Sequence, residues 1–397
     1  MGAYSMRNQA SQPSHRASMN EVAEKAGVSH QTVSRVINNS PNVSRATRQR
    51  VEQVIRELNY RPSNSARALV TRHTKTIGFI AGGVNYYGPI STMASIESVA
   101  REHGFYLSVA IIDEREYTRQ AFEEIADSFL DQGVEAFLFL APTVAMVEAA
   151  VSATINQPRV ILTSTFEEQE RAMEGSSSAS SAVSPSTRNQ LDADLVRFVG
   201  IDQVAAAHKV IDYLSELGHR DCVFFSGPED WGDAAMRLKA WQRYSHELGW
   251  NARTLVMKSW DASEAYEEAR KLISETSREQ LPTVVVASND LQAFGVSKAF
   301  HEAGVRVPED VSVVGFDDVP GADFHVPSLT TVRPDFEALG RSAMQKLLGM
   351  LGIGEGSQTA GGVNGTEAAE GGVDEAVEPG IGSELIVRES SAAPRRK

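Results

Sequence analysis

From Asn20 onward, apolar side chains recur at helical intervals in three short stretches separated by polar punctuation. Val22, Ala23 and Ala26 make the first stripe, which stops at Gly27, a residue suited to the left-handed end of a helix. Val33, Val36 and Ile37 make the second, with Ser29 as its N-cap and Asn38-Asn39-Ser40-Pro41 as its break. Ser44 can cap a third helix whose Val51, Val54, Ile55 and Leu58 share one face, ending before Arg61-Pro62. Two short helices joined by a Gly-containing turn and braced by a third predict a helix-turn-helix unit over residues 18–62. Residues 1–17 lack this periodicity and are expected to form a disordered arm.

After Thr76 the pattern changes to β-rich apolar runs alternating with amphipathic helices. Strands are expected at 77–81, 106–112, 136–140, 160–164, 198–201, 222–226, 255–259, 283–287, 311–315 and 329–332. Helices are expected at 93–102, 121–130, 205–217, 236–248, 265–273 and 292–302. Such alternation predicts parallel sheets covered on both faces, and this many strands suggests two lobes. Ligands of open α/β sheets bind beyond the strand C-termini, so the lobes would face each other across a cleft.

Two stretches interrupt the pattern. Residues 175–190 hold seven serines in sixteen positions, a loop composition. Residues 352–383 hold ten glycines, six acids and no Lys or Arg, and are expected to be disordered. Because Ser383–Glu389 resumes a strand pattern, the second stretch reads as an insertion before a closing strand. Residues 391–397 are expected to be a tail. No heptad repeat follows residue 390, which argues against a coiled-coil tetramer.

Charge divides the chain. The net charge of its 397 residues is −14, yet residues 1–75 carry twelve Lys and Arg against four acids. A +8 head on a −22 body is the asymmetry of a polyanion-binding module joined to a domain with another task. The second helix presents His30, Gln31, Ser34 and Arg35 on its polar side. Gln can bond adenine bidentately and Arg guanine, from the start of a helix laid in the major groove. Ser18, Ser29, Asn38, Ser44 and Thr47 sit at helix ends, where phosphates are held and where ordinary caps also occur.

The run from Val22 to Leu69 resembles, nearly without gaps, the DNA-binding segment of the LacI/GalR family of bacterial transcription regulators. The resemblance implies a hinge, placed at residues 63–76, that becomes helical on DNA and inserts a leucine into the minor groove. The matching positions are Ser65, Ala66 and Leu69, with Arg67 available to phosphate or groove. Too short to be helical alone, this segment suits ordering by DNA and a partner copy. The resemblance continues through residues 77–390 to the family's two-lobed effector domain of the type I periplasmic-binding-protein fold. The fold class expected is therefore α/β with an all-α N-terminal domain.

By the same resemblance, Arg237, Asn289 and Asp317 match hydroxyl-binding residues, and Trp260 and Phe336 match aromatic positions of the pocket. Tyr86, Tyr87 and Pro89 fall in its first-strand loop. Where some sugar-responsive members place an aspartate, this chain has Thr163. Carboxylates, amides and Arg bond sugar hydroxyls, while aromatic faces stack on C–H surfaces. Asp290 reads as an N-cap of the helix it precedes, and Asp318 as a loop residue. The function implied is a sequence-specific repressor that binds pseudo-palindromic double-stranded operator DNA as a homodimer and responds to a sugar. A cytoplasmic sugar receptor without a promoter role, or a regulator answering to a purine, remain open.

No catalytic motif stands out. There is no G-x-S-x-G elbow, P-loop, H-E-x-x-H or G-x-G-x-x-G after a strand, and the nine His and single Cys lack metal-ligand spacing. Neither an enzyme, a metal nor a cofactor is expected. With no signal peptide, no membrane span and one cysteine, Cys222, a cytoplasmic protein is expected.

Overall fold

The computed structural model describes residues 17–61, 73–113, 117–163, 195–353 and 380–395. The chain forms two compact units, divided between Thr74 and Lys75. The hinge positions Ser65, Ala66, Arg67 and Leu69 lie outside the described residues, as do residues 175–190 and all but the two ends of the stretch 352–383.

The first unit contains α1 (Met19–Ala26), α2 (His30–Ile37) and α3 (Arg45–Glu57). Ser18 caps α1 in a reciprocal box with Glu21, and Gly27 closes it with φ +62°. Ser29 and Ser44 cap α2 and α3 by accepting from the Thr32 and Thr47 amides. Val22, Ala23, Ala26, Val33, Val36, Val51, Val54 and Tyr60 form the small core, so the three stripes meet as their spacing requires.

The second unit has two parallel sheets. The first lobe runs β1 (Thr76–Gly82), α4 (Tyr87–Glu102), β2 (Tyr106–Ile112), α5 (Arg119–Asp131), β3 (Ala136–Leu140), α6 (Val144–Ser152), β4 (Arg159–Leu162) and β5 (Val196–Val199). Its strand order is β2-β1-β3-β4-β5. The chain then crosses to α7 (Gln203–Leu217), β6 (Asp221–Ser226), α8 (Gly232–Glu247), β7 (Asn251–Val256), α9 (Ala262–Glu275), β8 (Val284–Ala287), α10 (Asp290–Glu302), β9 (Ser312–Phe316) and β10 (Thr330–Pro334). α11 (Phe336–Met350) returns to the first lobe, burying Leu339, Ala343, Met344 and Leu347 there, before β11 (Ser383–Ile386) closes the second sheet. That sheet is ordered β11-β10-β9-β8-β6-β7, with only β11 antiparallel, against β10.

Alternation along each strand explains the layering. In β3, Ala136, Leu138 and Leu140 enter one core while Phe137 and Phe139 enter the other. In β6, Val223 and Phe225 face one side, and Cys222 and Phe224 the other. Both sheets reverse direction of strand order beside their first strand, which puts a crevice at the C-terminal edge of each.

Several expectations are corrected. The strand expected at 255–259 is Asn251–Val256, because the polar start of the run lies at a sheet edge, where alternate positions face water. α6 and α11 were not anticipated. α6 is apolar almost all round, so no 3.6-residue contrast marks it. The supposed tail from residue 391 instead lies along the second lobe. Ser391 is buried, its hydroxyl 2.8 Å from the Tyr213 hydroxyl, and the Ala392 carbonyl lies 2.9 Å from His219 Nε2.

Candidate DNA-reading face and ligand cleft

On α2, packing of Val33 and Val36 into the small core leaves His30, Gln31 and Arg35 exposed and Ser34 half-buried. The four expected reading residues therefore share the outward side of one helix. The hydroxyls of Ser18, Ser29 and Ser44 accept from the amides of Glu21, Thr32 and Thr47, so each is an N-cap first. Ser44 also donates to the Thr47 hydroxyl at 2.8 Å, and Asn38 Nδ2 donates to Ser34 Oγ at 3.4 Å.

The cleft lies between the C-terminal edges of the two sheets of the second unit. The space enclosed between its walls is about 80 Å³. Tyr86, Pro89 and Thr163 line it from the first lobe. Arg237, Trp260, Asn289 and Asp317 line it from the second, and Phe336 from the crossover into α11. Each lies in the loop or helix that follows a strand, as the topology dictates.

Charge in the cleft centres on Arg237. Its Nη1 donates to the Ser288 carbonyl at 2.6 Å and its Nε to the Asp233 carbonyl at 3.2 Å. The guanidinium lies 4.0 Å from the Phe316 ring centre and 5.3 Å from that of Trp260. Burial pushes the Asp317 carboxyl well up, against the pull of Arg237, with Asp290 and Asp233 adding to the rise. Burial raises Asp233 likewise and lowers Arg237. Asp317 also holds a left-handed backbone, φ +106°, a conformation that costs an L-residue and is retained where the surroundings enforce it. Its amide donates to the Val332 carbonyl, fixing that turn.

The apolar walls are indoles. Trp231 and Trp260 meet edge to face with centroids 5.4 Å apart, and Tyr86 meets Trp231 the same way. A Cβ at Gly83 would lie 2.5 Å from Trp231, and one at Gly227 would lie 2.3 Å from Trp260. Each indole thus lies directly on a glycine. The buried Trp260 Nε1 and Gln203 Oε1 have no hydrogen-bond partner among the described residues. Acceptors, one guanidinium and flat apolar faces together suit a neutral polyhydroxylated ligand.

Residues 18–63 match the profile of the bacterial regulatory proteins of the lacI family, and residues 211–371 match a periplasmic binding protein-like domain. The lactose operon repressor of Escherichia coli (strain K12) is 28% identical over 329 residues, 83% of each chain. The repressor PurR of Salmonella newport (strain SL254) is 29% identical over 84% of this chain and 89% of its own. This chain belongs to the LacI family. The regulator MalR of Clostridium butyricum is 28% identical over 83% of this chain and 92% of its own. A lac repressor bound to ONPG superposes with a TM-score of 0.74 at 25% identity, over 95% of this chain and all of that one. A lac repressor dimer on operator DNA shares the fold, with a TM-score of 0.76 at 24% identity and the same coverage.

Within this LacI-family fold, three sequence assignments change. Tyr87 does not line the cleft; it begins α4, stands edge-on to Phe336 at 5.9 Å and faces an outer groove. Asn289, not Asp290, caps α10, accepting from the Gln292 amide at 2.8 Å while its Nδ2 donates to the Trp260 carbonyl at 3.1 Å. Asp290 is wholly buried and accepts from Thr331 Oγ1 and the Val319 amide. Asp318 is more than a loop residue, since it pairs with Arg333 at 2.6 Å and Arg388 at 2.7 Å.

Sequence reasoning missed Trp231, Asp233, Gln203 and Phe316. The signal existed for two of them. Trp231 and Asp233 stand just after the β6 strand end, and Asp233 is one helical turn before Arg237. Among the described residues no group of acidic, His or Cys side chains could hold a metal, and no helix is long and apolar enough to cross a membrane.

Proposed function

We propose that this protein is a dimeric repressor whose hold on pseudo-palindromic DNA is weakened when a sugar occupies the cleft. The observation that carries the sugar reading is the combination of Arg237, Asp233 and Asp317 with the indole corner of Trp231 and Trp260. Hydroxyls would bond the Arg237 guanidinium and the two carboxyls, and C–H faces would stack on the rings. The lactose operon repressors among its relatives are in keeping with a sugar, and the outward polar face of α2 supports base reading in the major groove.

Coupling follows from linkage. If sugar weakens DNA binding, DNA weakens sugar binding by the same factor. The hinge residues Ser65, Ala66, Arg67 and Leu69 would carry the change between cleft and DNA. The second copy fits two apolar patches. Tyr106, Val109 and Ile111 stand exposed on the edge strand β2, and Phe324 and Val326 on the loop before β10. A repressor that binds operator DNA would act in the cytoplasm, where that DNA lies.

The test is anisotropy titration on a duplex selected by the protein from a random library, with mono- and disaccharides added in turn. A sugar that lowers affinity is expected. Arg237→Ala and Asp317→Asn should keep DNA affinity and lose the response. Gln31→Ala and Arg35→Ala should each relax base preference at particular positions by about 1–3 kcal/mol. A sugar that tightens binding would reverse the sign, and a normal response in both cleft variants would remove those residues from the site.

A further inference from the structure

α2 is only two turns long, too short to hold its shape by itself, and its C-terminal end leads into a tight connection. There Asn38, Asn39 and Ser40 donate backbone bonds to Ser34, Val36 and Arg35 carbonyls, and Asn39 takes a left-handed φ of +54°. Into this turn reaches Arg48, from the first turn of α3. Its Nη1 donates to Asn39 Oδ1 at 2.7 Å and to the Val36 carbonyl at 3.4 Å, and its Nη2 donates to the Ser40 carbonyl at 2.7 Å. One half-buried guanidinium thus gathers three acceptors of the α2–α3 connection, while Arg35, Arg45, Arg50 and Arg56 are exposed.

We propose that Arg48 is a positioning residue for DNA reading, clamping the end of α2 so that Gln31 and Arg35 are held at a fixed attitude. This rests on the reading of α2 as the recognition helix. The chemistry favours a clamp over a phosphate contact. A planar fork meets separated acceptors at fixed angles, and helix-end carbonyls carry partial negative charge that a cation satisfies. A lysine keeps the charge but cannot span the three acceptors. Loss of the fork should therefore cost discrimination between sequences, whereas loss of a phosphate contact would weaken all DNA alike and lower the salt dependence.

The experiment uses the full chain with two 30-bp duplexes, one selected by the wild type from a random library and one of random sequence. Affinity is measured across a range of KCl for wild type, Arg48→Ala, Arg48→Lys and Asn39→Gly, together with amide exchange. The clamp predicts at least a tenfold loss of selected-over-random preference in both Arg48 variants, with the salt slope on random DNA unchanged. Exchange at Asn38–Ser40 should quicken at least tenfold while α1 amides keep their protection. Asn39→Gly keeps the left-handed backbone, removes one acceptor and should lose part of the preference, so it carries the test if Arg48→Ala unfolds the unit. Wild-type behaviour of Arg48→Lys would overturn the proposal, as would a slope reduced by about 0.9 in Arg48→Ala with preference intact. If Gln31→Ala and Arg35→Ala leave base preference untouched, the recognition-helix reading itself fails. If they change it and Arg48→Lys does not, only the clamp fails.

Discussion

Thr143 and Trp231 face each other across the cleft as an antiparallel bridge pair, one from each lobe. The Val144 amide donates to the Asp230 carbonyl at 3.2 Å, and the Gly232 amide donates to the Pro142 carbonyl at 2.9 Å. These bonds flank the pair, so Thr143 and Trp231 occupy a non-hydrogen-bonded position, where Cα atoms lie about 4.5 Å apart. Replacing both by cysteine should give a disulfide without distortion. The oxidised double variant is expected to gain up to about 4 kcal/mol from closing a loop of nearly 90 residues and to exchange sugar more slowly than the same variant when reduced. Thiol titration checks the bond, because Cys222 is the single native cysteine and is buried. Free exchange of sugar in the oxidised form would show that the bridge does not close the cleft.

Gly83 supports the same closure from the other side. Its φ is +67°, and an added Cβ would meet Trp231 Cη2 at 2.5 Å. Gly83→Ala therefore carries a left-handed penalty of roughly 1–2 kcal/mol and an overpacking cost of about 1–3 kcal/mol. The expected outcome is a lower melting temperature and weaker sugar binding, with DNA affinity unchanged in the absence of sugar. Pairing with Trp231→Leu should recover the overpacking part of the loss, because the obstructing indole is gone, while the left-handed penalty stays. Additive losses in the double variant would mean that the two residues do not meet.

Much of this was readable beforehand, for local reasons. Ser18, Gly27, Ser29 and Ser44 announced the ends of α1, α2 and α3 because caps depend on neighbours a few residues away. Arg237, Asn289 and Asp317 came from the resemblance to the family, and all three line the cleft at the C-terminal edges of the sheets, where ligands of such sheets collect. Trp231 was readable only as a residue beyond the β6 strand end; its bridge to Thr143 of the other lobe is a pairing that no spacing within β6 and α8 encodes. The Asn289–Asp290 assignment failed for a related reason. Both residues can cap a helix, and only the burial of Asp290 under Thr331 and Val319 decides between them.

That burial has a pH signature. Loss of solvent lifts the Asp290 carboxyl to about 7, against the bonds from Thr331 and Val319 that favour its charged form. In the unfolded chain it ionises near pH 4, so between about pH 4 and 7 the native state holds the extra proton. Stability from this group consequently falls as pH rises through that interval. Asp317 and Asp233 are pushed the same way and contribute in the same sense. Asp290→Asn should flatten the fall, so the difference in melting temperature between variant and wild type moves in the variant's favour from pH 5 to pH 8. Parallel curves across that range would show that Asp290 ionises normally.

Assembly can be tested without knowing the sugar or the DNA. β2 is an edge strand with Val109 and Ile111 exposed on one face, at 46% and 58%, and Tyr106 on the other, at 60%. A row of apolar side chains on an open edge invites pairing unless a partner covers it. Phe324 and Val326 in the second lobe are more exposed still, at 83% and 89%. Val109→Asp with Ile111→Asp, or Val326→Asp alone, changes no cleft residue and no residue of the DNA-reading unit. Each should convert a dimer to a monomer in sedimentation velocity and weaken binding to a two-half-site duplex by at least tenfold. Binding to a single half-site should be unchanged, since one helix-turn-helix unit suffices there. Dimers that persist in both variants would place the contact between copies elsewhere on the surface.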